Sequence, residues 1–228
     1  MRARSAAALV AALVLVLFVC GAAYAENYTF KRTTSGDAVV GAITLRKADF
    51  PAQFRLTGGR VKPDETPNTD TCNGYLPKER DLVVAGDAES RFHDGARSVL
   101  VDSQVVLFQS TAMAAADVQR GLRLLTPTCQ TQMARQEHVK LVAYSLLGRP
   151  KCSCEFGVSV VFETKTSHPH LDDLMLVTAV RKGRFEATVI TDVGKPTNDT
   201  QRAGAAARTA LLVQGLAVKS ILTRLHAA

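Results

Sequence analysis

The clearest pattern along the chain is the alternation over residues 98–108. Val99, Val101, Ser103, Val105 and Leu107 fall on one side, and Leu100, Asp102, Gln104, Val106 and Phe108 on the other. A period of two predicts a strand. A second strand is expected over 82–91, and the intervening stretch 92–96 carries Asp94-Gly95, the residues of a hairpin turn. Further along, 138–147, 152–165, 174–181 and 184–192 read as four more strands. Lys182-Gly183 makes a tight connection between the last two, because glycine adopts positive φ without steric cost.

Helical spacing appears in three places. Residues 37–47 place Ala38, Val39, Ala42, Ile43 and Leu45 on one side, with Ser35 as a cap, and Arg46 and Lys47 in the last turn. Pro51 prevents continuation. A second helix runs from a cap at Ser110 or Thr111 to about Leu125, where Pro127 ends it. The last occupies 200–225, with Ala207, Leu211, Leu212, Ala217, Val218, Ile221 and Leu225 expected on its buried side. A short strand over 53–60 and a polar loop over 61–73, rich in Pro, Asp and Asn, lie between the first helix and the hairpin. No βαβ alternation appears. The expected fold class is therefore α+β, a mainly antiparallel sheet with helices packed on one face.

The first 25 residues change the picture. Arg2 and Arg4 precede an apolar run from Ala6, and Ala23-Tyr24-Ala25 is an A-x-A cleavage site, so residues 1–25 read as a signal peptide and 26–228 as a single extracytoplasmic domain. Two alternatives are a retained membrane anchor and a lipoprotein modified at Cys20, although Val19 is bulky for that role. Each of the three delivers the remainder outside the cytoplasm, secreted or at the cell surface. Loss of residues 1–25 removes two of 28 basic residues and no acid, leaving 26 against 21. The charge is scattered, with no Lys/Arg run. Together with the absence of Trp, this argues against a nucleic-acid partner.

In an oxidising compartment the four remaining cysteines, Cys72, Cys129, Cys152 and Cys154, imply two disulfides. If Cys152 and Cys154 lie in an extended strand, their Cα atoms are roughly 6.6 Å apart, near the limit for a bridge. The expectation is that Cys72 and Cys129 are each joined to one of the Cys152/Cys154 pair, making that segment a double anchor.

Candidate chemistry is sparse. His168-Pro169-His170-Leu171-Asp172-Asp173 resembles the first metal site of the metallo-β-lactamase superfamily, since imidazoles two apart with a nearby carboxylate can chelate zinc. The motif's closing His is here Asp173, and the alternating βα pattern of that fold is missing. A polar hairpin loop is the expected reading, with a metal-dependent hydrolase using His168 and His170 as a third functional alternative. Ser90, His93 and Asp94 are neighbours in sequence only, and no G-x-S-x-G elbow is present. Asp87-Glu89 and Asp172-Asp173 read as solvated turns or strand faces. No nucleotide, haem or iron–sulfur signature appears, so neither catalytic residues nor cofactors are assigned.

The block Lys47-Ala48-Asp49-Phe50-Pro51-Ala52-Gln53-Phe54 is similar to the "DLPxGW" opening of many actinobacterial secreted proteins of unknown function, with Phe54 in place of the Trp. Cys72, the segment Gly86-Asp87-Ala88-Glu89-Ser90, the strand over 99–108 and the helix leading to Cys129 complete the similar region; with the later strands and last helix, the likeness covers most of the mature chain. The later strands and last helix resemble, more loosely, the disulfide-bonded extracellular sensor domain of PknH-type mycobacterial kinases, without a kinase domain. The resemblance implies an extracytoplasmic α+β module that binds a ligand, and carries over no functional residues. The leading expectation is thus a non-enzymatic, sensor-like binding module of the bacterial envelope, whose partner is a small molecule or an envelope component. The alternative is a structural or interaction protein of the envelope without a small-molecule ligand.

Overall fold

The computed structural model describes residues 28–58, 72, 81–136, 139–165 and 170–228. The leader at 1–25 and the loop expected over 61–73, apart from Cys72, lie outside them. The strands are β1 (Thr29–Phe30), β2 (Arg55–Gly58), β3 (Val83–Asp94), β4 (Val99–Phe108), β5 (Lys140–Gly148), β6 (Phe156–Lys165), β7 (Leu171–Lys182) and β8 (Phe185–Pro196). They form one eight-stranded sheet in the order β1-β3-β4-β8-β7-β6-β5, with β2 also on β3. Every pair is antiparallel except β1 with β3. The helices are α1 (Thr34–Ile43), α2 (Thr111–Leu124), α3 (Pro127–Gln136) and α4 (Thr200–Ala227). The expected α+β class and antiparallel sheet are observed.

Strand pleating sorts residues to two faces. Val99, Val101, Val105, Ala187, Val189, Leu176 and Val180 join Val40 and Ile43 of α1 and Ala210, Val213, Ala217 and Ile221 of α4 in the main core. Their alternates, among them Val106, Phe108, Val177, Ile190 and Met175, belong to smaller clusters on the opposite face. There α2 packs through Ala114 and Val118. Helices therefore cover both faces, and not one as the element order implied. β7, covered on each side, is buried along most of its length, as a two-sided strand must be.

Local chemistry sets the helix ends. The Thr33 Oγ1 accepts from Gly36 N at 2.9 Å, which starts α1 three residues earlier than its apolar spacing implied. Gly36 is required there, because a Cβ would sit 2.2 Å from the Ala85 carbonyl oxygen of β3. The helix then closes at Thr44, and Lys47–Asp49 form a separate 3-10 turn. Ser110 caps α2 as expected, accepting from Met113 N at 3.2 Å. Pro127 does not merely end that helix: it opens α3, with Thr126 Oγ1 accepting from Cys129 N at 3.2 Å. The hairpin turn falls one residue or more later than the strand pattern placed it, since β3 runs through Asp94, whose Oδ1 accepts from Ala96 N.

The long helix α4 is seated by polar contacts inside an apolar interface. Gln214 Nε2 donates to Thr178 Oγ1 and to the Val189 carbonyl, each at 3.0 Å, and Gln214 Oε1 accepts from Thr191 Oγ1 at 2.5 Å. Nearly three turns further on, Arg224 donates to the Thr44 carbonyl at 2.9 Å, closing the C-terminus of α1, and pairs with Asp49. With Gln214, Ala217, Ile221 and Leu225 inward, Leu211 and Leu212 turn outward, and Leu212 is 70% exposed. The expected buried side of this helix is thus rotated: Ala210 and Val213 take the place of the two leucines.

Gln214→Ala should leave the Thr178 and Thr191 hydroxyls without their amide partner and lower unfolding stability by about 2–3 kcal/mol in urea titration. A loss below the error of the measurement would show that the network does not seat the helix.

Candidate functional site: the Cys152–Cys154 pocket

The segment between β5 and β6 is not an extended continuation of β6. Gly148 takes φ +98, a left-handed conformation suited to glycine, and the chain then bends through residues 151–153. Pro150 packs onto Gly157 so closely that a Cβ there would lie 2.9 Å from the ring. The bend brings the Cα atoms of Cys152 and Cys154 to 5.2 Å, and the two cysteines are bridged to each other. Cys72 and Cys129 form the second bridge, also at a Cα separation of 5.2 Å, packed on Leu124. The double-anchor expectation is therefore overturned. It assumed a strand at 152–154, and β6 begins only at Phe156.

The two bridges differ in consequence. Closing 57 residues restricts the unfolded chain by about 4 kcal/mol, whereas closing a ring with one intervening residue restricts it by about 1–2 kcal/mol. Only the Cys72–Cys129 bridge connects distant parts of the chain.

Around Cys152–Cys154 the fold builds a concavity of about 350 Å³. One wall is the last turn of α4, with Leu222, Thr223, Leu225 and His226; another is Lys182 at the end of β7. Lys182 Nζ donates to the Leu225 carbonyl at 3.0 Å and the His226 carbonyl at 3.2 Å, placing a cation where the helix dipole is negative. Ser153 Oγ lies 3.0 Å from His226 Nδ1, linking the bend to the helix. Glu155 braces the floor by pairing with Arg181 and accepting from Gly183 N at 3.2 Å. The site thus offers two leucine surfaces, two hydroxyls, an imidazole, an ammonium and a disulfide. Its size falls at the lower end of ligand pockets. A second cavity, between α2 and the sheet, measures about 40 Å³ and has room for little more than water.

The other residues singled out in the sequence do not converge. Ser90 and His93 point to opposite faces of β3, and Ser90 is occupied in a buried hydroxyl cluster with Ser103 at 3.0 Å and Thr44 at 3.3 Å. His168 lies outside the described residues. His170 precedes β7 with φ +69, and its carbonyl accepts from Thr197 N at 2.9 Å. Asp172 and Asp173 belong to β7 and are buried, and not in a polar loop. Among the described residues no group of three His, Cys, Asp or Glu is arranged to hold a metal. Asp87 is also buried, with Gln104 Nε2 donating to it at 3.3 Å.

On the sheet face away from α1 and α4, buried carboxylates line adjacent strands. Burial pushes Asp192 up to about 8, and the neighbouring Asp173 adds repulsion. Burial raises Asp102 to about 7 against the opposing pull of Arg91, whose Nε donates to it at 2.7 Å. Asp117 on α2 is likewise raised by burial, while accepting from Tyr28 Oη at 2.7 Å. These acids report on stability and bring no nucleophile or metal ligands together.

No family model matches the chain, and no curated protein matches it. Among solved structures it is similar to an uncharacterised Mycobacterium smegmatis protein, the Rv0999 ortholog, with a TM-score of 0.40 and 10% identity over 78% of this chain and 97% of that one.

Two outcomes follow from the geometry. Replacing Cys72 and Cys129 together by alanine should cost about 3–4 kcal/mol in denaturant unfolding, and replacing Cys152 and Cys154 by serine no more than about 1–2; the reverse order would contradict the assigned pairing. For Asp192, the folded state keeps its proton up to about pH 8, while an unfolded aspartate releases it near 3.8. The folded chain therefore binds more protons between these values, and stability falls as pH rises through that window. Asp192→Asn should flatten the decline and gain about 1–3 kcal/mol over the unsubstituted chain at pH 8, read by thermal melts at pH 5 and 8. Parallel curves for the two proteins would refute the assignment.

Proposed function

We propose that the chain is a non-enzymatic, extracytoplasmic binding module of the bacterial envelope, sensor-like in the manner of the PknH-type domain it resembles. The observation that carries this reading is the 350 Å³ concavity at Cys152–Cys154, where polar groups converge between apolar walls. Its walls come from a helix end, a strand end and a disulfide-closed bend, so the groups are held in place and need little ordering on binding. Two disulfides are the chemistry of an oxidising compartment, which supports a secreted or surface location. The ligand class that fits is a compact molecule with both an apolar part and hydrogen-bonding groups.

A specific observation favours the second reading, an envelope interaction protein. Leu211, Leu212 and Leu216 on α4, and Val142, Leu146 and Leu147 on β5, are exposed.

The binding reading is tested by native mass spectrometry of the chain mixed with a small-molecule extract of bacterial envelope. Retention of an adduct is expected, and Thr223→Trp, at an exposed position on the pocket wall, should abolish it without changing the melting temperature. No adduct, or equal retention by Thr223→Trp, would sink the pocket as the binding site.

A further inference from the structure

We propose that the Cys152–Cys154 bridge is an exchangeable disulfide, opened by a low-molecular-weight thiol that enters the adjoining pocket while the Cys72–Cys129 bridge stays closed. The proposal rests on the pocket being the ligand site and names a chemistry for it. Three observations carry it.

The bridge joins no two elements of the fold. Both cysteines lie in one bend between β5 and β6, and their separation of two residues constrains almost nothing that the backbone does not already constrain. Opening it leaves the sheet, α4 and the long-range bridge in place.

Access is unequal. Cys72 and Cys129 are buried at 2% and 6% exposure beneath Leu124. Cys152 is only partly buried and faces a concavity of about 350 Å³, large enough for a tripeptide thiol to reach in. Cys154 also lines the concavity but is the more buried of the two, at 8% exposure, and belongs to the main core against which Cys152 only packs.

The asymmetry within the pair fixes the direction of the step. An incoming thiolate attacks Cys152 Sγ, a new S–S bond forms to that sulfur, and the Cys152–Cys154 bond breaks with its electron pair leaving on Cys154. The attacking thiol has released its proton to solvent, and the Cys154 thiolate takes one up. A second thiol then attacks the mixed disulfide, releasing Cys152 as a thiol and the two small molecules as their disulfide. Two thiols are oxidised and one protein disulfide is reduced, so the electrons balance. Cationic surroundings favour thiolate on both sides of the exchange. Lys182 stands in the pocket wall, and Arg149 donates to the Cys154 carbonyl.

The experiment uses reduced glutathione as the probe on the full chain, with alkylation of freed thiols and peptide mass mapping. The expected result is that Cys152 and Cys154 become alkylated at least about tenfold faster than Cys72 and Cys129, with the melting transition retained. With oxidised glutathione in place of the reduced form, Cys154→Ser should capture glutathione on Cys152, whose thiolate attacks the small disulfide and releases one reduced glutathione, and dithiothreitol should remove it; Cys152→Ser should capture little on Cys154. If both bridges open together, if the pair stays closed in millimolar glutathione, or if the two serine variants capture glutathione equally, the proposal is overturned. Thr223→Trp separates the two readings. Exchange slowed by that substitution with no adduct retained from envelope extract would leave the exchange standing and the binding-module reading refuted. Adduct retention lost with exchange at the original rate would do the opposite, because the thiol would not be entering through the pocket.

Discussion

A buried amide has four hydrogen-bonding demands, and a core that admits one must answer them at fixed positions. Gln214 is such a group. Its partners are two threonines on neighbouring strands and a carbonyl between them, so α4 can neither slide nor rotate over β7 and β8 without leaving polar atoms unsatisfied. Apolar contacts alone would tolerate a shift of register, because valine and alanine offer no directional preference. The helix is long enough that this seating has effects at a distance. Three turns on from Gln214 it decides that Leu222, Thr223 and Leu225 line a pocket, that His226 meets Ser153, and that Arg224 reaches the end of α1.

The pocket is thus made by convergence of separate constraints. The helix end is fixed by the amide, β7 ends at Lys182 just where the helix carbonyls need a cation, and the bend at 151–153 is forced by Gly148 and by the contact of Pro150 with Gly157. None of the three elements carries a recognisable site alone. The disulfide lines the pocket because the bend brings its two cysteines to a Cα separation of 5.2 Å.

This explains which parts were legible in the sequence. Strand alternation at β4 and the serine cap of α2 are local signals, and both lead to the observed elements. The strands of β6 to β8 were legible too, but with shifted ends: Asp172-Asp173 look like turn residues, and they are drawn into β7 because β6 and β8 both continue alongside. α3 carries no apolar stripe, only Cys129, Met133 and Ala134 beside a buried Gln130, and its one strong signal was Thr126-Pro127. On α4 the apolar Leu211 and Leu212 dominate the pattern in sequence, while the sheet selects Ala210, Val213 and Gln214 for fit. Neither His226 nor Lys182 carries a sequence signal for a pocket, Lys182 reading only as part of a tight turn. They meet Ser153 and the helix end only in three dimensions. The cysteine pairing differs from expectation for one local reason: the chain bends at 151–153 where its composition suggests a strand.

The position of β8 has a consequence for synthesis. It lies between β4 and β7, so the first half of the sheet is joined to the second only through residues 185–196, and α4 follows later still. Strand β4 has no second neighbour until nearly the whole chain has emerged, and α1 waits for Arg224 to close its end. Contacts this distant in sequence make folding late and slow. The two halves of the sheet can therefore be sealed into one only after residues 185–196 are available, at the end of synthesis.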